Sequence, residues 1–178
     1  MKVWLASFPR SGNTFFRNVL FDVYGVKSGQ YHLTLKEQSS KNNYLNYDVV
    51  KTHLLPEQLN PVNSKIPAIY IVRDGRDCVL SMANQRKNIL EPNSDIYTTM
   101  KEAIIAAGGS YFGGWSYNVE KWLERSPLII KFEELIKNPI ENIEKINEFI
   151  DLPIGDYSKL PTFESQKKGL LEHLQTFQ

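Results

Sequence analysis

The sequence has few of the residues that cross-link small domains or hold metal ions. Its 178 residues include one cysteine, Cys78, and three histidines. One cysteine excludes an intramolecular disulfide and a cysteine-rich metal site, and so few histidines disfavour a histidine-rich metal centre. We therefore expect a fold that is stabilised by its hydrophobic core, without a cysteine-rich or histidine-rich metal centre.

The sequence also lacks long apolar runs and a strong net charge. No segment reaches about 18 consecutive apolar residues, so no transmembrane helix is predicted, and the N-terminal apolar run is too short for a signal peptide. We expect a cytoplasmic protein in which residues 1–178 form a single domain. The formal net charge of +1 argues against a general nucleic-acid binder.

The charges that are present are unevenly distributed. Residues 1–87 carry 12 basic and 6 acidic side chains, whereas residues 88–178 carry 9 basic and 14 acidic ones. A basic first half within a nearly neutral protein predicts a local anion site.

Apolar patterning predicts strands that alternate with helices. Residues 68–72 (Ala-Ile-Tyr-Ile-Val) are apolar without alternation, as in a parallel strand covered on both faces. Further strands are predicted at residues 2–7, 48–52 and 127–132, and helices at 13–24, 76–86, 97–107, 115–124, from 139 to 150, and near 169–177. The polar residues 26–47 are predicted to form a surface excursion. This order predicts an α/β fold with a parallel sheet, in which ligands bind beyond the carboxyl ends of the strands.

The loop at residues 7–14, between the first strand and the first helix, has the setting of a phosphate-binding loop. Unpaired backbone N–H groups and the helix dipole favour an anion at a helix start. Gly12 allows close approach of the backbone, Arg10 supplies charge, and Ser11 and Thr14 supply hydroxyl groups. A plain strand-to-helix turn with a capping side chain is the alternative. The loop is not a Walker A motif, because no lysine follows Gly12 and no glycine precedes it by five residues.

Four segments, in order along the chain, resemble motifs of the sulfotransferases, which use 3′-phosphoadenosine 5′-phosphosulfate (PAPS). Residues 8–15 (Phe-Pro-Arg-Ser-Gly-Asn-Thr-Phe) are similar to that family's 5′-phosphosulfate loop, and residues 51–56 (Lys-Thr-His-Leu-Leu-Pro) to its histidine segment. Residues 70–81 resemble its 3′-phosphate motif, and residues 130–139 a further conserved stretch of the family. The resemblance covers nearly the whole chain. It implies a P-loop-like three-layer α/β domain with a central parallel β-sheet flanked by helices.

The resemblance implies three catalytic residues. His53 is the implied general base, and a neutral imidazole suits proton abstraction near neutral pH. Lys51, two residues earlier and on the same face of a strand, is implied to steady the sulfuryl group. Arg10 stands at the position of the family's loop lysine and is implied to contact the 5′-phosphate and the bridging oxygen. The family uses no metal. His32 and His173 are assigned no role.

The cofactor-binding residues implied by the resemblance lie in three segments. The loop supplies Arg10, Ser11, Gly12, Asn13, Thr14 and Phe15. Phe15 replaces the family's tryptophan and is predicted either to stack on adenine or to belong to the core. Arg73 and Ser81 are implied to bind the 3′-phosphate.

The C-terminal segment resembles the family's lid. Lys167, Lys168 and Gly169 are similar to the residues that close over the 3′-phosphate, and Phe163 to the aromatic residue that packs on the purine. Leu170-Leu171-Glu172 stands where the family has Gly-Asp-Trp, so closure of the lid is left open.

The predicted function is transfer of a sulfuryl group from PAPS to a hydroxyl or amine of a small-molecule acceptor, with release of 3′-phosphoadenosine 5′-phosphate (PAP). A P-loop-type nucleotide or small-molecule kinase and a nucleotide-binding module without transfer are the alternatives. The acceptor and the oligomeric state are not predicted. Aromatic residues in 26–47 and 88–113 either line an acceptor pocket or are ordinary surface residues: Tyr31, Tyr44, Tyr47, Tyr97, Tyr111 and Phe112.

Overall fold

A five-stranded parallel sheet forms the centre of the computed structural model, which describes residues 1–32, 44–59, 65–105 and 112–165. The strands are β1 (Val3–Ser7), β2 (Ser28–Tyr31), β3 (Val49–Thr52), β4 (Ala68–Val72) and β5 (Leu128–Lys131). Their order across the sheet is β2-β3-β1-β4-β5, and every pairing is parallel. The predicted parallel sheet is confirmed, with β1 between β3 and β4.

Six α-helices connect and cover the strands in the described part of the chain. They are α1 (Asn13–Tyr24), α2 (Gly75–Gln85), α3 (Ile96–Ile105), α4 (Trp115–Leu123), α5 (Phe132–Lys137) and α6 (Pro139–Glu144). A π-helical turn at Arg86–Leu90 follows α2, and short 3₁₀ turns lie at Tyr44–Asn46, Pro56–Gln58, Lys145–Glu148 and Tyr157–Lys159. None of the helices in these ranges is long and apolar enough to cross a membrane.

The two faces of the sheet carry separate hydrophobic clusters. Val3 and Leu5 of β1 point into a cluster with residues of α1, whereas Trp4 and Ala6 point into a second cluster with Trp122 of α4. Because successive side chains of a strand point to opposite faces, one strand contributes to both clusters. All five residues of β1 are buried. Helices therefore cover both faces, which confirms the three-layer α/β prediction.

Glycine ends α1 where the sequence predicts. Gly25 has a left-handed φ of 69°, and its N–H bonds the carbonyl oxygens of Leu20 and Phe21. This is the usual way in which glycine terminates a helix. The helix consequently runs over Asn13–Tyr24, the predicted residues.

Three elements differ from the prediction. The helix predicted from 139 to 150 is α6, which ends at Glu144 and is followed by a 3₁₀ turn at Lys145–Glu148. Within residues 26–47, Ser28–Tyr31 form the edge strand β2, whose Tyr31 is 5% exposed and lies 5.9 Å from the ring of Trp4, so the description as a surface excursion is wrong for these four residues. The strand predicted to reach Phe132 ends at Lys131, and the helix α5 begins at Phe132. The Phe132 side chain is 4% exposed and lies against the Arg73 guanidinium at this point. The predicted helix near 169–177 lies outside the described residues.

Candidate active site

The carboxyl ends of three adjacent strands bring the predicted site residues to one edge of the sheet. Ser7 ends the central strand β1 and leads into the loop, Thr52 ends β3 next to His53, and Val72 ends β4 next to Arg73. Residues far apart in sequence therefore meet at the edge where α/β proteins bind ligands.

The loop after β1 has the backbone conformation of an anion site. Arg10 has a φ of 68° and Gly12 a φ of 102°, so two residues separated by Ser11 lie in the left-handed region. Such alternation turns successive N–H groups toward one concave surface that suits an anion. Gly12 is also the N-cap of α1, where no side chain caps the helix and no acidic residue lies in the first turn. The positive end of the helix dipole is thus left for a ligand.

Arg10, Arg73 and Ser81 form one hydrogen-bonded cluster. The Nε of Arg10 donates to the Ser81 hydroxyl oxygen at 3.0 Å, and Nη1 of Arg73 donates to the Arg10 carbonyl at 3.0 Å. Burial and then the nearby Arg73 charge lower the pKa of Arg10. Because the Arg73 charge disfavours the charged form of Arg10, a bound anion near the two side chains would offset their repulsion.

Arg73 is held in place but is not fully neutralised. Its guanidinium lies 4.4 Å from the centre of the Phe132 ring, and Nη2 is 3.6 Å from a carboxylate oxygen of Asp77. Its Nε is buried and has no hydrogen-bond partner in the structure. The Trp115 indole N–H donates to the Arg73 carbonyl at 3.2 Å, which fixes the backbone. A buried donor without an acceptor is unfavourable, so the site suits a phosphate.

His53 is oriented by the end of β1. Its Nδ1 lies 2.8 Å from the Ser7 carbonyl oxygen and 3.4 Å from the Ser7 hydroxyl oxygen. A carbonyl oxygen only accepts, so the shorter contact assigns the proton to Nδ1 and leaves the lone pair on Nε2. The ring also contacts Phe112, with the centroids 5.8 Å apart and the planes at 84°. His53 therefore has the tautomer that a general base needs.

The surroundings of His53 keep it neutral. Burial, followed by the positive charge of Lys51, lowers its pKa from the ordinary 6.5 to about 3, although the hydrogen bond to Ser7 acts in the opposite direction. A histidine with this pKa is unprotonated at neutral pH, so its Nε2 lone pair is available, but it is a weaker base than an ordinary imidazole.

Comparison with known proteins identifies the family of this chain. The family model described as Sulfotransferase domain matches residues 1–177. The chain belongs to the sulfotransferase family. A flavonol 4′-sulfotransferase of Flaveria chlorifolia is 26% identical over 97% of this chain and 60% of its own length. Sulfotransferase 1A1 of Mus musculus is 32% identical over 57% of this chain and 37% of its own length. The chain thus spans about three-fifths or less of these curated relatives.

Solved structures share the fold of this sulfotransferase-family chain. Mouse sulfotransferase SULT7A1, solved in complex with PAP, superposes with a TM-score of 0.65 at 22% identity, over 87% of this chain and 59% of that one. A sulfotransferase from Alicyclobacillus acidocaldarius has a TM-score of 0.60 at 10% identity, over 94% of this chain and 88% of that one. At these identities the likeness shows the α/β architecture expected for the family.

The side chains of the remaining loop residues of the sulfotransferase chain differ in their exposure to solvent. Ser11 is 1% exposed and its hydroxyl oxygen lies 3.3 Å from the Cys78 sulfur, so its side chain points inward. Asn13 is 4% exposed; its Nδ2 donates to the Ser7 hydroxyl at 2.8 Å, and its Oδ1 has no partner in the structure. Thr14 is exposed. Of the two predicted hydroxyl donors, only Thr14 presents its side chain.

The aromatic residues of the predicted nucleotide site form a cluster below the loop. Phe15 is 3% exposed and meets Phe163 edge to face at 5.6 Å, and Phe163 meets Phe132 at 5.4 Å. This burial favours the core role for Phe15 over stacking on adenine. Phe163 is partly buried and is the better candidate for a contact with a purine. Lys167, Lys168, Gly169 and Tyr111 lie outside the described residues.

Several residues of the site have no counterpart in the sequence predictions. Ser7 orients His53, and Asn118 of α4 donates to the His53 carbonyl at 3.2 Å. Asn118 is a polar residue on the same helix face as Trp115 and Trp122, and a polar residue within an apolar stripe is a signal that the sequence does contain. In the described ranges, no group of three or more histidine, cysteine or acidic side chains is arranged to hold a metal ion.

Proposed function

We propose that this chain transfers a sulfuryl group from PAPS to a hydroxyl or amine of a small-molecule acceptor. The bond between sulfur and the 5′-phosphate oxygen breaks, a bond forms between sulfur and the acceptor, and PAP leaves. Membership of the family supports the reaction, a flavonol sulfotransferase among its relatives supports a small-molecule acceptor, and the PAP complex of a structural neighbour supports the donor.

The observation that carries the proposal is the orientation of His53 at the strand edge. Because Nδ1 is bonded to the Ser7 carbonyl, Nε2 is the atom that takes the proton from the acceptor as its oxygen or nitrogen attacks sulfur. The resulting imidazolium is stabilised at Nδ1 by the Ser7 carbonyl. Lys51 supplies positive charge near the sulfuryl oxygens, where negative charge must be held during transfer.

The loop and the arginine cluster account for the donor's negative charges. Backbone N–H groups at Gly12 and at the start of α1 bind the 5′-phosphate, and Arg10 neutralises the leaving oxygen. Arg73 and Ser81 bind the 3′-phosphate, for which the buried Nε of Arg73 provides an unused donor. Arg10 is linked to both residues by hydrogen bonds, so the two phosphate sites are coupled.

The segment after α6 completes the nucleotide site in this proposal. Phe163, which contacts Phe15 and Phe132 edge to face, packs against the purine. Lys167, Lys168 and Gly169 are assigned to the 3′-phosphate by their resemblance to the family's lid. No metal takes part, since the guanidinium groups, Lys51 and the helix dipole already oppose the charge of the donor.

A transfer assay with isotopically labelled PAPS and a panel of phenols, alcohols and amines tests the proposal. His53→Ala should lower the transfer rate by about 10²–10⁴-fold, the usual contribution of a general base, while PAP affinity stays nearly unchanged. Unchanged turnover would remove His53 from the mechanism. Turnover of ATP with magnesium, and none of PAPS, would instead establish the kinase alternative.

A further inference from the structure

Asn118 is a fully buried polar side chain that connects three segments at the site. It is 0% exposed on α4. Its Nδ2 donates to the carbonyl oxygens of His53 at 3.2 Å and Phe112 at 2.9 Å, and its Oδ1 accepts from the Tyr70 hydroxyl at 2.8 Å. Both amide hydrogens are used on carbonyl groups that only accept, so the orientation of the amide is defined by its partners.

The backbone at His53 depends on α4 because the sheet ends before it. Thr52 is the last residue of β3, so the His53 carbonyl lies beyond the ladder of strand hydrogen bonds. Asn118 binds that carbonyl, and Trp122, one helical turn later, donates its indole N–H to the next carbonyl, that of Leu54, at 3.0 Å. Residues four apart lie on one helix face, so α4 holds two successive peptide groups.

The same amide fixes the ring that contacts the proposed base. Phe112 places its ring 5.8 Å from the His53 imidazole, and its carbonyl is bonded to Asn118. One side chain therefore sets both the backbone of His53 and its distance to this neighbour. Loss of the amide would leave the buried Tyr70 hydroxyl and two part-buried carbonyl groups without this partner and would release both segments together.

We propose that Asn118 is a positioning residue for His53, which holds Nε2 of the imidazole in line with the acceptor. The inference rests on the proposed function, because it concerns the base of that reaction. Positioning of this kind affects the rate of the chemical step, since small displacements of a reacting group lower rates strongly. It leaves nucleotide binding at the loop and the arginine cluster unaffected.

The chain contains a matched control in Asn142. This residue is 2% exposed, its Nδ2 donates to the carbonyl oxygens of Glu134 at 3.1 Å and Asn138 at 2.9 Å, and its Oδ1 accepts from Lys145 at 2.8 Å. It joins α5 to α6 and touches none of the site residues named above. Replacing either asparagine removes two hydrogen bonds donated to backbone carbonyls and one accepted at Oδ1, from Tyr70 in one case and from Lys145 in the other.

Asn118→Ala and Asn142→Ala should lower the melting temperature by similar amounts but differ in catalysis. We expect kcat to fall about 10- to 100-fold in Asn118→Ala only, with its PAP dissociation constant within about twofold of the original chain. If alanine prevents folding, Asn118→Leu and Asn142→Leu, which refill the space, serve for the same comparison. Equal effects of the two positions on kcat would show a general structural role and overturn the proposal.

Nuclear magnetic resonance of ¹⁵N-labelled histidine gives a second readout that needs no activity. The chain has three histidines, so the His53 signals can be assigned by substitution. The Nδ1–H proton bonded to Ser7 should exchange slowly in the original chain and in Asn142→Ala, and about tenfold faster or more in Asn118→Ala. An unchanged signal in Asn118→Ala overturns the positioning role whatever its kcat. Absence of transfer by the original chain would refute the proposed function instead, and this comparison would still decide the role of Asn118.

Discussion

Replacing Gly12 with alanine should lower both the stability of the chain and its affinity for PAP. Gly12 has a φ of 102°, and an added Cβ would lie 2.5 Å from Cδ2 of Phe132. Left-handed backbone costs about 1–2 kcal/mol for a residue with a side chain. Phe132 cannot move away easily, because it is 4% exposed and packs against Arg73 and Phe163. Overpacking at such a position costs about 1–3 kcal/mol.

A total near 3 kcal/mol corresponds to a fall in Tm of about 6–12 °C for a chain of this size. Gly25→Ala is the matched control, since Gly25 has a φ of 69° and nothing within 4 Å of an added Cβ. It carries the backbone penalty alone, so its Tm should fall by about 2–8 °C. Loss of one charged hydrogen bond to phosphate, about 1.5–3 kcal/mol, should weaken PAP binding about 10- to 100-fold in Gly12→Ala only.

Thermal unfolding and isothermal titration with PAP measure both effects. Removing part of the obstructing ring should rescue the variant, so Gly12→Ala combined with Phe132→Leu should show a favourable coupling of about 1–3 kcal/mol. Equal falls in Tm for the two glycine variants would refute the contact with Phe132 as the cause. Equal PAP affinity in both would refute the loop as the phosphate site.

Three further outcomes are expected. Arg73→Gln should weaken binding of PAP by about 1–3 kcal/mol. Binding of adenosine 5′-phosphate, which has no 3′-phosphate, should weaken less, and only because Arg73 also supports the Arg10 carbonyl. Equal losses in titration would contradict the 3′-phosphate assignment. The pKa of His53 is lowered from 6.5 to about 3, so the unfolded chain binds more protons in this range, and stability should fall as the pH is lowered through it. Melting curves of His53→Asn across this range should show a smaller pH dependence. Excess EDTA should leave the transfer rate within about twofold; a loss that magnesium restores would contradict metal-free transfer.

Local sequence signals were sufficient for the elements whose own residues specify them. Gly25 ends α1 by its left-handed conformation, and the unbroken apolar run Ala68–Val72 forms the buried strand β4. Asp74 accepts from the Arg76 backbone N–H at 2.9 Å, as a helix cap should. These features depend on contacts within a few residues, which a sequence pattern represents directly.

Elements that are stabilised by residues distant in sequence were not predicted. The strand β2, with the sequence Ser-Gly-Gln-Tyr, has little apolar character of its own. It forms because β3 offers an unpaired edge and because Tyr31 packs on Trp4. Hydrogen bonding between strands compensates for weak local preference, and this term is absent from any local pattern.

The sequence by itself determined the family, the parallel α/β sheet and the strand ends at which Arg10, His53 and Arg73 lie. Its ordered motifs and strand pattern carry that information because strand polarity in a parallel sheet brings all carboxyl ends to one edge. Only the tertiary structure decided which atoms face each other there. Ser7 assigns the proton of His53 to Nδ1, Cys78 draws the Ser11 hydroxyl inward, and Asn118 joins two loops. Hydrogen bonds depend on the distance and angle between donor and acceptor. For residues remote in sequence, both are defined only once the chain has folded.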